Sequence, residues 1–470
     1  MISLPPYRWL IPLFIICVSS SCRPPVLPKP AADISIPETF AHSPETTTDA
    51  PLDVQWWKEF NNPDIDSLVE NILAHNPDIH IASAKIGEIR SYFVQTKADR
   101  LPQLGGSAQA SHQKASGYLT IPGADRKSDL YNLSFPASFE LDLWGRLSSA
   151  EQAAKQDLLR AEEARLTVMN SVIAEGISLY LSARAIQLRI DLARKRVSIY
   201  QNHAAIMTYR YKHGLSSYLD MTQAESILAQ AASLIPPLEQ ELVSIQQKLA
   251  LIAGAYPGNS SSLSQGNPFF MDLPPISPGM PSDLLLNRPD IRAAKAGLSA
   301  LEEKINVAHK SKFPQITLTG NFGYASPELE NVLKPEAELW SLAMGISRPL
   351  FDGGRLKAGQ RAAEARYLQG VAEYAKLLLT AFFEVENALV TRKKQLERKE
   401  LLKTLKEKYT ITRQSAENHY EKGLTDYTTV LNARQAVFQA EENLILTDLS
   451  LMTNRVTLYR ALGAGFPDRP

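Results

Sequence analysis

The sequence predicts a mixed α/β chain written as two copies of one unit, each copy an entry helix, a pair of strands and a long antiparallel helical hairpin. Three observations predict it. The first is a repeat of landmarks. Asn76-Pro77-Asp78-Ile79 returns as Arg288-Pro289-Asp290-Ile291, and Pro102-Gln103 as Pro314-Gln315, both 212 residues on. Gly145-Arg146-Leu147 returns as Gly354-Arg355-Leu356, Gly214 as Gly423 and Gly254 as Gly463, each 209 on. Two constant offsets joined by one small change, in a loop where length varies cheaply, mark an internal duplication. The second observation is a switch of hydrophobic period from helical to two and back within each copy. The third is the placement of proline: the chain has 30, yet none falls in 137–235 or 350–466.

At the start, Arg8 precedes an apolar run from Trp9 to Val18, followed by Ser19-Ser20-Ser21-Cys22. The run is too short to span a bilayer as a helix and has the order of a secretory signal, so 1–21 read as a signal peptide. The small residues before Cys22 resemble a bacterial lipoprotein cleavage box, which implies an acylated Cys22. Ser19 stands where that box prefers leucine, and a plain cleaved signal with Cys22 unmodified is the alternative. Residues 22–55, rich in Pro, Ser, Thr and Ala, read as a tether that cannot bury a core. The first repeat then takes 56–254, a Pro/Gly/Ser-rich linker 255–282, the second repeat 283–465 and a short tail 466–470.

Each repeat opens with a helical pattern, 68 to about 97 and 283 to about 311, interrupted early by its Pro-Asp. Alternation follows. Ile316, Leu318, Gly320, Phe322 and Tyr324 alternate with Thr317, Thr319, Asn321 and Gly323, and Trp340, Leu342, Met344 and Ile346 with the small residues Ser341, Ala343, Gly345 and Ser347. The first repeat matches with Tyr131, Leu133, Phe135, Ala137 and Phe139, after a weakly patterned strand over 104–113. That makes four strands. Residues 147–211 and 356–420 then contain no proline, and 65 helical residues span roughly 100 Å. Each long helix ends alike: Tyr211, Gly214, Leu215, Ser216 and Tyr218 in one copy, Tyr420, Gly423, Leu424, Thr425 and Tyr427 in the other. Glycine suits a left-handed helix end and the short polar residues suit an N-cap, so both stretches reverse a helical hairpin. Pro236-Pro237 breaks the returning helix of the first copy alone.

Composition excludes several functions. Lys+Arg and Asp+Glu number 50 each, and no basic stripe with interleaved aromatics is present, which argues against nucleic acid as a partner. Cys17 and Cys22 are the only cysteines, so the body has no disulfide framework. The histidines (among them His75, His80, His112, His203, His213, His309 and His419) are scattered at mostly surface-like positions, with no metal-ligand spacing. No phosphate-cradling glycine loop or nucleophile elbow occurs, so neither enzymatic activity nor a cofactor is expected.

The strands pose a physical problem whose answer is an assembly. Four strands in a bilayer would leave edge groups unsatisfied, and the smallest closed barrels use about eight, so several chains must contribute. The rows Tyr131, Leu133, Phe135, Phe139 and Phe322, Tyr324, Trp340, Leu342 suit lipid, while Asn132, Ser134, Thr317, Thr319 and Asn321 suit a wet lumen. A barrel of shared strands continued by long helices is a tube.

At this point the residues resemble a family. Trp56-Trp57-Lys58-Glu59-Phe60-Asn61-Asn62-Pro63, the paired Pro-Asp-Ile, the Pro-Gln before each first strand, the exits Asp142-Leu143-Trp144-Gly145-Arg146 and Phe351-Asp352-Gly353-Gly354-Arg355, and the two Gly-Leu tips are together similar to TolC-like outer membrane factors, in particular the NodT-like lipoprotein branch. The resemblance implies a homotrimer: a twelve-stranded outer-membrane β-barrel, four strands per chain, continued by a long periplasmic α-helical coiled-coil barrel. It implies the outer-membrane channel of a tripartite efflux system, a passive export duct for small molecules, working with a periplasmic adaptor and an inner-membrane transporter. A type I secretion duct for proteins, and a periplasmic coiled-coil scaffold lipoprotein, are the alternatives. It implies adaptor docking at Gly214, Leu215, Ser216, Gly423, Leu424 and Thr425. Some relatives ring the inner end of the pore with acidic residues; the matching Thr429 and Asn432 are neutral. A gate of Tyr218, Asp220, Tyr427, Thr429 and Asn432, held by hydrogen bonds and packing, is expected instead, with Asp220 equally readable as a carboxylate favoured by its helix N-terminus.

Overall fold

The computed structural model describes residues 37–42, 55–118, 125–258 and 287–464. The expected signal peptide and Cys22 lie outside these residues. Helices α1 (Pro63–His75) and α2 (Pro77–Ala98) lead to strands β1 (Gln103–Leu104), β2 (Ser107–Lys114) and β3 (Lys127–Leu141). Helices α3 (Arg146–Lys212), α4 (Tyr218–Ser233) and α5 (Ile235–Ile252) complete the first copy. The second copy runs α6 (Pro289–Lys310), β4 (Gln315–Ser326), β5 (Glu338–Ser347), α7 (Arg355–Glu421) and α8 (Tyr427–Leu462). The order is the same twice, and the break before Pro236 splits the returning helix in the first copy only. By compactness the described residues fall into two units, 86–161 with 293–375, and 37–85 with 162–292 and 376–464.

The first unit holds the sheet. Its order is β1-β3-β4-β5 with β2 also on β3, and every pairing is antiparallel. β1 and β2 share one register against β3, and the ladder lapses between them where Gly105 faces Pro136, a residue with no N–H to give. Four strands therefore stand side by side, as the alternation predicts. The register sets Phe135 opposite Phe322 and Phe322 opposite Trp340; Leu133 faces Tyr324, and Leu318 lies between Phe139 and Met344. One face of β3, β4 and β5 is thus an unbroken apolar row, exposed along β5.

Strand exits are built by side-chain caps. The Asp142 carboxylate accepts from the amides of Leu147 (3.0 Å) and Ser148 (2.7 Å), starting α3, and Asp352 accepts from Gly354 (2.8 Å) and Leu356 (2.9 Å), starting α7. The Trp144 indole donates to the Pro314 carbonyl (2.7 Å) and packs on Phe313.

In the second unit the recurrent motifs close one kind of joint. The Asn76 amide donates to the Ile252 carbonyl at the end of α5 (2.7 Å), and its oxygen caps α2 through the Ile79 N–H (3.0 Å). Arg288 does the same work in the second copy, donating to the Ala461 carbonyl near the end of α8 (3.0 Å) while binding Asp290 and Glu384, both at 2.7 Å. Trp56 and Phe60 are fully buried, with Trp56 stacked on Tyr459 at 5.0 Å; Glu59 binds Arg455 and the Tyr459 hydroxyl. Burial, then the neighbouring Glu59 carboxylate, push the Tyr459 phenol well above its ordinary range. The Trp-Trp-x-x-Phe signature is thus a plug that seats the chain's entry to the repeat.

Candidate functional site

The two hairpin tips lie together in the second unit. Tip one closes when the amides of Gly214 and Leu215 return to Tyr211 and Arg210 carbonyls at 3.0 and 2.8 Å, with Gly214 at φ +72°. Tip two repeats this with Gly423 (φ +71°) to Tyr420 at 2.9 Å and Leu424 to His419 at 2.8 Å. Leu215 and Leu424 are 63% and 69% exposed, although nothing in their own fold requires an apolar side chain there.

The helix starts that follow use the same two groups in exchanged places. Ser217 caps α4, accepting from the Asp220 amide (3.1 Å), while the Asp220 carboxylate accepts from the Ser217 hydroxyl (2.8 Å) and amide (3.1 Å). This is a capping box. In tip two the carboxylate is the cap: Asp426 accepts from the amide (3.0 Å) and hydroxyl (2.8 Å) of Thr429, and the Thr425 hydroxyl donates to Thr429 (3.1 Å). Asp220 is held below the usual carboxylate range, first by the Ser217 hydroxyl and then by its amide. Asp426 is held low by the Thr429 amide and then its hydroxyl. Both carboxylates are therefore ionised caps.

Among the described residues, Tyr427 is the expected gate residue whose ring packs across the two copies. It is half-buried, its ring stacked on His203 of α3 and edge-on to Tyr420 at 5.2 Å, and its hydroxyl accepts from Arg434 (3.2 Å). Burial raises its pKa. Arg434 is itself held by Glu417 (2.8 Å). Tyr218 and Asn432 are exposed, Tyr218 against the Tyr211 ring at 5.7 Å. A groove of about 230 Å³ runs between the tips, lined by Met207, Arg210, Leu215, Asp220, Tyr420 and Tyr427 among others.

His203 is a correction to the surface-like reading of the histidines: only 8% of it is exposed. Burial, then the Arg434 charge, lower its pKa to about 4, so it packs as a neutral ring. Neither His203 nor Arg434 is singled out by the sequence. The one available signal is placement: each falls on a long helix, 11 residues from its tip glycine, about three helical turns.

The family model described as outer membrane efflux protein matches residues 68–255 and 280–464. This chain belongs to that family. Among its relatives, the solvent efflux pump outer membrane protein SrpC of Pseudomonas putida is 31% identical over 412 residues, 87% of this chain and 86% of SrpC. The probable outer membrane lipoprotein SilC of Salmonella typhimurium is 28% identical over 97% of each chain. Among solved structures, the outer-membrane channel OprN superposes with a TM-score of 0.84 at 28% identity, covering 94% of this chain and 99% of that one. The fold class is that of the trimeric outer-membrane factor channels, a β-barrel with a long helical barrel, and the protein is located in the outer membrane with a periplasmic portion. Outer membrane efflux proteins are channels or ducts of tripartite pumps, which include an adaptor and an inner-membrane transporter.

Proposed function

We propose that this chain forms the passive outer-membrane duct of a tripartite efflux pump for small toxic compounds, without catalytic activity of its own. The observation that carries this reading is the sheet: four strands side by side, an apolar row running across β3, β4 and β5, and pairing on one side only at β2 and at β5 among the described residues. Every unpaired backbone group in hydrocarbon costs several kcal/mol, so such edges call for partners. Three copies supply twelve strands. At a spacing of about 4.8 Å and a tilt of about 40°, twelve strands close into a barrel about 24 Å across between backbones, wide enough for a lumen of small-molecule size after side chains are placed. The name of SrpC, a solvent efflux component, supports small apolar compounds as cargo. The exposed Leu215 and Leu424 support docking of an adaptor at the tips. Acylation of Cys22, supported by the lipoprotein name of SilC, adds a lipid anchor to the barrel's own contact with outer-membrane lipid. Nucleic acid has no place in this reading, since the charges balance.

The test uses the full-length protein extracted in detergent. A heat-dissociable trimer that conducts ions in planar bilayers, and whose gene deletion sensitises cells to organic solvents, is the expected result. A chain that remains monomeric and non-conducting would overturn the reading.

A further inference from the structure

The sheet ends on two open edges, β1 with β2 on one side and β5 on the other, and how they meet in the closed barrel is a matter of stagger. Two constraints fix it. The side-chain period of two requires the apolar face of β5 (Trp340, Leu342, Met344, Ile346) to continue onto Ala108 and Ala110, which share a face with Leu133 and Tyr131. Even positions must therefore oppose even positions. The second constraint is tilt. A line drawn straight across the strands of one chain passes through Ala108, Leu133, Tyr324 and Glu338. In a three-fold barrel it must meet the next β2 displaced by the same step at each seam. With a rise of about 3.4 Å and a spacing of about 4.8 Å, a tilt of 35–45° over four strands makes that step about four to six residues.

The direction follows from where strand exists. A step toward the helices would lay β5 against residues 93–104, most of which are the end of α2 and the turn behind it. The opposite step sets all ten residues of β5 against 103–114, the range of β1 and β2. We infer that β5 docks on β2 of a neighbouring copy with this outward step, and that the seam closes at the outer rim on an ion pair between Glu338 and the neighbour's Lys114.

A six-residue step puts Glu338 directly opposite Lys114. A four-residue step puts it opposite His112, with Lys114 as the diagonal neighbour that a long side chain reaches. Both charged groups are exposed and neither has a partner among the described residues, whereas His112 is already bonded to Asp129 at 2.5 Å. The surroundings agree in sign. The turn that feeds β5 carries Glu328, Glu330 and Glu336 against Lys334, and the end of the β2–β3 hairpin carries Lys114, Arg126 and Lys127 against Asp125 and Asp129.

This inference rests on the trimeric duct proposed above, and heat-dissociation of the full-length trimer in detergent tests it. Glu338→Lys and Lys114→Glu should each lower the dissociation temperature by several degrees, and the double reversal should restore it; a double variant no more stable than either single one overturns the pair. Cysteine pairs test the stagger separately. Leu342→Cys with Ala110→Cys or with Ala108→Cys should form a disulfide between subunits, and bridging only with Leu104→Cys, the position for zero step, overturns it. A wild-type chain that forms no trimer would instead overturn the duct reading itself.

Discussion

His203 and Tyr427 stack face to face, with ring centroids 3.4 Å apart and planes 10° from parallel. One belongs to the outgoing helix of the first copy and the other to the returning helix of the second, so this contact ties the two tips through an ionisable ring. Arg434 bonds the Tyr427 hydroxyl and lies close enough to disfavour charge on His203; Arg210, Asp220, Tyr420 and Asp426 line the adjoining groove.

The contact should weaken in acid. A histidine lowered to about 4 in the folded tip and near 6.5 when released carries no penalty above pH 6.5. As pH falls from about 6.5 to about 4 the released state takes up the proton first, and the tip loses stability, approaching about 3 kcal/mol below that window. Hydrogen exchange of the amides around 203–207 and 427–434 should accelerate between pH 7 and pH 5 relative to its intrinsic pH dependence. His203→Phe keeps the stack without the proton and should abolish that excess.

Arg288 should be far less tolerant than its exposed counterparts. Its side chain is 8% exposed, and although burial works against the charge, Asp290 and Glu384 raise its pKa above the ordinary value. Arg288→Met would leave two carboxylates facing each other and the Ala461 carbonyl without its donor, a loss of about 3–5 kcal/mol by analogy with other broken buried pairs. Exposed Lys394→Ala, at the solvent-screened Glu397 pair, should leave the unfolding midpoint unchanged. Thermal unfolding in detergent, followed by circular dichroism, would rank them.

Glycines at the two ends of the hairpins should respond differently to alanine. Gly254 sits at φ +70°, where an added Cβ would meet the His75 carbonyl oxygen at 2.3 Å; Gly463, at +74°, would meet Asn287 backbone at 2.8 Å. Gly214 and Gly423 have similar φ but open space around them. Alanine at either tip should cost about 1–2 kcal/mol, the left-handed penalty alone. Alanine at Gly254 or Gly463 forces backbone apart as well, and should reduce the amount of assembled trimer recovered from membranes.

Much of this architecture is legible in the sequence because it is written in local rules. Proline exclusion and helical spacing mark α3 and α7, alternation marks β3 to β5, and Gly-x-x-Ser-Tyr or Gly-x-x-Asp-Tyr marks the tips. Pairing of β3 with β4, which joins the two copies into one sheet, is a long-range choice with no local signature. The equivalence of Asn76 and Arg288 is visible as position but not as chemistry, since an amide and a guanidinium reach a helix-end carbonyl by different routes. His203 and Arg434 are invisible for a related reason: what matters about each is a group on the other copy, Tyr427 for His203 and His203 for Arg434, 224 and 231 residues away in sequence. Asp220 shows the reverse, a residue whose helix-start role follows from Ser217 three places earlier.

Leu215 and Leu424 offer the sharpest separation of assembly from function. Each is exposed on a reversal whose geometry is fixed by glycine, backbone hydrogen bonds and a polar cap, none of which involves the leucine side chain. Replacing both with Glu removes apolar surface and adds six charges to the tips of a trimer without disturbing those bonds. Trimer yield, heat stability and conductance should stay at wild-type levels. Efflux should fall to the level of the gene deletion, read as solvent sensitivity, because an adaptor tip that packs on leucine would have to desolvate carboxylates with no cationic partner supplied. Unchanged efflux in the double variant would move the docking surface off these leucines, toward the groove between the tips.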